Sequence, residues 1–126
     1  MKGNGVLIFW GILIAIIILG VGASFFVGAQ SGKLDTFATC LTDRGVVFYG
    51  AFWCPHCQAT KRMFGRSAKL LPYVECSLPS GKGQVQVCLD KKIESYPTWE
   101  FPDGTRITGE RTLQELADKS GCVLPA

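Results

Sequence analysis

The segment Val46-Val47-Phe48-Tyr49-Gly50-Ala51-Phe52-Trp53-Cys54-Pro55-His56-Cys57 joins two unlike kinds of sequence. Its first eight residues are β-branched, aromatic or small and predict a buried strand. From Gln58 to Leu71 the pattern turns into a basic amphipathic helix. Two cysteines, two residues apart at such a junction, meet backbone N–H groups and the positive end of a helix, both of which stabilise a thiolate. The spacing therefore predicts a dithiol–disulfide redox centre. Cys54, at the helix start, is the candidate nucleophile, and Cys57, nearly one turn on, resolves the mixed disulfide. His56 is the sole histidine of the chain. Between the cysteines it favours the thiolate and so makes the disulfide a stronger oxidant. Pro55 suits the first helical turn and restricts the motif.

The chain has 126 residues, enough for one small domain and what its ends carry. Thirteen basic against ten acidic side chains give a net charge of +3, with no run of like charge to draw nucleic acid. Between Gly3 and Gly32 there is no charged residue. The apolar stretch from Val6 to Ala29 makes roughly 36 Å of helix, enough to cross a hydrocarbon core of about 30 Å. A signal peptide is the competing reading, with Val27-Gly28-Ala29 resembling a small-residue cleavage site, although signal peptides have shorter apolar regions. An uncleaved anchor over residues 1–29 is expected. Lys2 favours a cytoplasmic N-terminus and an external domain, with Lys33 at the other end weakening the bias. Gly11, Ala15, Gly20 and Gly28 leave room for another helix to approach.

Residues 30–44 are expected to form a polar linker and a first helix, with Leu34, Phe37, Ala38 and Leu41 at helical spacing and Asp43-Arg44-Gly45 ending it. Residues 45–126 then form the main domain. Pro72 stops the motif helix, and Tyr73 to Cys76 reads as a strand parallel to the first, a βαβ unit. A loop over 77–83 leads to a short helix from Val85 to Ile93. A hairpin follows, Thr98–Phe101 and Arg106–Gly109 around Pro102-Asp103-Gly104. The closing helix carries Leu113, Leu116 and Ala117 inward, with Thr112 and Glu115 as a capping box.

This order of elements, with Trp53 before the first cysteine, Tyr96-Pro97-Thr98 further on and Phe101-Pro102-Asp103-Gly104-Thr105 after it, resembles the thioredoxin-like family. The resemblance implies an α/β fold, a central mixed sheet flanked by helices, here preceded by one transmembrane helix. It also implies that Pro97 is cis, sits against the sulfurs and leaves backbone groups free for an extended client chain, with Trp53 as a platform. Cys-Pro-His-Cys is shared with periplasmic oxidases of the DsbA type. Phe48 to Cys57, Tyr73 to Cys76 and Ile93 to Trp99 look like the thioredoxin-like domain fused to bacterial vitamin K epoxide reductase homologues. That likeness implies a free-standing partner of a quinone-linked membrane oxidoreductase. It departs from many thioredoxins at one place: where they carry a buried acid, six residues before the first cysteine, this chain has Phe48. Glu75 or water is left to take the proton of Cys57.

Six cysteines in an exported domain suggest one redox pair and two bridges. From layout, Cys76 pairs with Cys88 across a short loop, for about 3 kcal/mol, and Cys40 with Cys122 between the first and last helices, for about 4–5 kcal/mol. Cys76/Cys88 as a second redox pair, and a zinc site of Cys54, Cys57, Cys76 and Cys88, are the alternatives. Lys61, Arg62, Arg66 and Lys69 read as a solvated face. The whole predicts a single-pass, extracytoplasmic thiol–disulfide oxidoreductase that needs no cofactor or metal. It oxidises cysteine-containing exported proteins; a reductase or isomerase, or a redox-inert adaptor, is the alternative.

Overall fold

The computed structural model describes residues 3–28 and 31–126. Lys2, on which the orientation rests, and Ala29 and Gln30, of the cleavage motif and linker, lie outside the described residues. The chain divides into two compact units, residues 1–30 and 31–126.

The first unit is one helix, α1 (Asn4–Gly28). Its side chains from Asn4 to Phe25 are exposed all round, and it is apolar on every side. A helix of that kind cannot bury a stripe against a core. Over Asn4–Phe25 it is long and apolar enough to cross a membrane.

The second unit is built on a four-stranded sheet in the order β2-β1-β3-β4. The strands are β1 (Val47–Gly50), β2 (Tyr73–Glu75), β3 (Thr98–Glu100) and β4 (Arg106–Thr108). β2 runs parallel to β1, and β3 and β4 are antiparallel to their neighbours, so the sheet is mixed. Side chains alternate across β1. Phe48 enters the larger core, with Phe37, Leu41, Phe64, Trp99 and Leu116, whereas Tyr49 enters a smaller one, with Cys76, Cys88 and Ile93. On the Phe48 face the register puts Tyr73 on one side and Trp99 on the other. Phe48 stacks on Trp99 at 4.4 Å between ring centres and meets Tyr73 edge-on at 5.2 Å. Such cross-strand aromatic pairs add about 0.5–1.5 kcal/mol to what burial already supplies.

Helices cover this sheet. α2 (Asp35–Asp43) sinks Phe37, Ala38 and Leu41, as their spacing predicts. α3 (Pro55–Phe64) carries the cysteine motif and is shorter than the expected Gln58–Leu71 helix. Gly65 takes φ +56°, which ends the α-helix, and a 3₁₀ segment (Gly65–Leu70) completes the run to Pro72. α4 (Gln86–Asp90) is also shorter than the expected 85–93; Lys92 has φ +54°, outside helical space. α5 (Leu113–Ser120) starts on the expected capping box. Thr112 Oγ1 accepts from the Glu115 N–H at 3.1 Å, and Glu115 Oε2 accepts from the Thr112 N–H at 2.7 Å.

Cys40 is bonded to Cys122, and Cys76 to Cys88. The first joins α2 to the segment after α5, across a sequence separation of 82. Closing so long a loop restricts the unfolded chain strongly. Replacing Cys40 and Cys122 together by alanine is expected to cost about 2–5 kcal/mol, read as a lower midpoint in urea for the full chain in detergent. A midpoint equal to that of the unmutated chain would contradict it.

Candidate active site

β1 ends at Gly50, and a short turn, with the Cys54 N–H bonded to the Ala51 carbonyl at 3.0 Å, delivers the chain to α3. Cys54 is the N-cap of α3 and Pro55 its first residue. Proline there gives up no helical hydrogen bond, because the first N–H groups have no partner within the helix. The Cys54 sulfur takes over the capping role and accepts the Cys57 N–H at 3.3 Å. An N–H donor and the positive end of the helix thus face one sulfur.

Both motif cysteines are free and buried, Cys54 at 4% exposure and Cys57 at 1%. Cys54 lies at the tip of α3, as its N-cap, and Cys57 in its first turn. The Tyr96–Pro97 peptide is cis, and the Cys54 thiol points at the Tyr96 carbonyl oxygen at 3.7 Å. Gln84 holds this loop, its side-chain amide donating to the Ile93 carbonyl at 2.7 Å and to the Tyr96 hydroxyl. Trp53 is half-exposed, donates its indole N–H to Ser77 Oγ at 2.9 Å and meets the Tyr96 ring edge-on at 5.9 Å. With Phe52, also half-exposed, it gives the motif an apolar rim.

His56 does not act alone. Its Nδ1 lies 2.6 Å from Glu110 Oε1, from the stretch between β4 and α5. Facing a carboxylate, Nδ1 must carry the hydrogen, so the ring is held with Nε2 free. Both side chains are exposed, so the pair orients the ring and adds little stability. No spacing in the sequence announces Glu110; only the fold brings it beside the motif.

The surroundings of Cys57 are the least expected part. Burial first, and then its hydrogen bond with Cys54, push the Cys57 thiol from its ordinary 9.0 up to about 12, with the Ala51 backbone and then Lys61 pulling the other way. Tyr73 is also pushed up, by burial first and then by Glu75, to which its hydroxyl donates at 2.7 Å. Lys61 was expected on a solvated face. Instead it turns inward, its Nζ 3.4 Å from the centre of the Tyr73 ring, because the ring offers the ammonium a partly buried π face.

The other cysteines stand apart. Cys76 and Cys88 are fully buried in the smaller core, whereas Cys54 and Cys57 belong to the larger one. Their bond overturns the zinc alternative, because neither sulfur is a free thiolate.

Part of this sequence is similar to that of known proteins. Thiol-disulfide oxidoreductase LTO1 of Arabidopsis thaliana is 48% identical over 86 residues, covering 64% of this chain and 22% of that protein. Thioredoxin domain-containing protein 5 homolog of Drosophila melanogaster is 36% identical over 97 residues, covering 65% of this chain and 22% of its own length. The fold is thioredoxin-like. The chain spans about a fifth of the length of these curated relatives. No protein-family model matches it.

The raised Cys57 has a consequence for stability. A thiol whose folded value lies above its unfolded one contributes stability that is present below the unfolded value, about 9, and lost as pH rises toward about 12. The reduced chain is therefore expected to lose melting temperature more steeply than the oxidised chain from about pH 9 upward. The part of the Tyr73 shift that comes from Cys57 and Cys54 belongs to the reduced form alone and acts in the same direction. Parallel melting curves for the two forms over that range would contradict the burial of a neutral Cys57.

Proposed function

We propose that this chain is a membrane-anchored thiol–disulfide oxidoreductase whose globular unit works outside the cytoplasm. The observation that carries the reading is the Cys54 sulfur. It caps α3, Cys57 lies behind it, and the Tyr96 carbonyl stands in front. The name of the Arabidopsis relative, a thiol-disulfide oxidoreductase, supports the same class. In this reading residues 1–29 are the anchor, 30–44 the linker and first helix, and 45–126 the catalytic domain.

The oxidised pair accepts electrons from exported proteins. A client thiolate attacks Cys54, the Cys54–Cys57 bond breaks, and Cys57 leaves and takes up a proton. A second client thiolate then attacks the client sulfur of the mixed disulfide. The client leaves as a disulfide and Cys54 as a thiolate. Two electrons have passed from client to pair, with no cofactor required. The pair hands them by the same exchange to a quinone-linked membrane partner of the vitamin K epoxide reductase type. The likeness of Phe48–Cys57, Tyr73–Cys76 and Ile93–Trp99 to the domain fused to such enzymes supports that choice. His56, held by Glu110, supports the oxidising direction. Pro97 and the rim of Phe52 and Trp53 receive the client's extended chain.

Cys57→Ala is expected to accumulate client mixed disulfides on non-reducing gels, and Cys54→Ala to accumulate none. Recovery of no adduct from Cys57→Ala would favour a redox-inert adaptor. A potential for the pair near −120 mV fits the oxidant, whereas one near −270 mV, that of a thioredoxin, would reverse the direction of flow.

A further inference from the structure

Resolving a mixed disulfide strips a proton from Cys57, a buried thiol pushed up to about 12, and β1 offers no acid to take it. The position six residues before Cys54 is Phe48, which the aromatic row occupies. We infer that the proton travels through Tyr73 to Glu75, a relay on β2 opened to the Cys57 sulfur by the missing side chain of Gly50. This inference rests on the dithiol function proposed above.

The register assembles the relay. Phe48 lies beside Tyr73 and Gly50 beside Glu75, so strand alternation places Tyr73 and Glu75 on the Phe48 face, which is also that of Cys57. A Cβ on Gly50 would stand 3.0 Å from Cys57 Sγ, 2.7 Å from Tyr73 Cε2 and 3.4 Å from the Tyr73 hydroxyl. The sulfur and the phenol ring therefore both close in on the Gly50 backbone, at a distance that a Cβ there would not allow. The Tyr73 hydroxyl donates to Glu75 Oε2 at 2.7 Å. Glu75 Oε1 is held separately, accepting the N–H groups of Phe52 at 3.1 Å and Ser77 at 2.9 Å. One carboxylate oxygen is thus anchored to backbone while the other faces the phenol. The ionisable groups around Cys57 come from two elements: Cys54 and Lys61 from α3, Tyr73 and Glu75 from β2. Lys61 supplies the cation that offsets charge passing along this path.

The step balances as follows for a client disulfide being reduced. The Cys57 sulfur bonds to Cys54, the Cys54–client bond breaks, and the client sulfur leaves as a thiolate. The Cys57 proton moves to the Tyr73 oxygen while the Tyr73 proton moves to Glu75 Oε2, which releases it to solvent. The dithiol loses two electrons and the client gains them. In the oxidising direction Cys57 leaves as a thiolate and draws its proton back along the same path.

The test uses the full reduced chain in detergent micelles with oxidised glutathione as the probe disulfide. Acid quenching and mass spectrometry separate formation of the Cys54 adduct from its resolution by Cys57. Glu75→Gln keeps the oxygen that the two N–H groups need and removes the acceptor; Tyr73→Phe removes the hydroxyl and keeps the ring that Phe48 and Lys61 touch. Positioned proton transfer contributes about 10²–10⁴ in rate. Each variant is expected to slow resolution at pH 7 by at least about tenfold and to make it rise with hydroxide across pH 6–9. Adduct formation should stay within about twofold of the unmutated chain. Normal adduct formation with an unmutated resolution rate and pH profile in both variants would overturn the relay alone. Failure of the unmutated chain to form any adduct would sink the dithiol function, and the relay with it.

Discussion

The register of β1 against its two neighbours is the constraint on which the site depends. Phe48 lies between Tyr73 and Trp99, and the stack on Trp99 makes any slip expensive, since moving one residue would turn this face outward. With the register fixed, three things follow at the end of β1. The chain turns into α3 with Cys54 at its tip, β2 brings Tyr73 and Glu75 alongside Gly50, and β3 brings the Tyr96–Pro97 peptide to the Cys54 sulfur. A redox motif of four residues works only because three strands agree about where it sits.

The two sulfurs, with two residues between them, end in different electrostatic settings. Cys54 faces an N–H donor and a helix terminus. Cys57 is shut in behind it, and burial keeps its proton on. In the proposed function, that division lets one thiol meet clients while the other waits. It also moves the difficulty of the chemistry from attack to proton handling, the task a missing acid on β1 leaves to other residues.

Much of this was legible in the sequence, for identifiable reasons. The strand before Cys54, the capping box at Thr112 and Glu115, and the bridges Cys40–Cys122 and Cys76–Cys88 are local patterns or follow from the layout of few elements. The early end of α3 was not, because Gly65 acts through a positive φ that an amphipathic pattern does not register. Lys61 read as solvated because helical periodicity cannot see a ring on the neighbouring strand. Glu110 beside His56 is a contact across 54 residues of sequence and leaves no local trace. What sequence hides here is side-chain company across the sheet.

The Cys40–Cys122 bond turns nearly all of the globular unit, sheet and motif included, into one covalent ring. Tension entering before Cys40 and leaving after Cys122 would run through the sulfurs and bypass the strands between them. A single proteolytic cut inside the ring would likewise leave both pieces fastened to each other. The site is thereby shielded from pulling and nicking by a bond that takes no part in its chemistry.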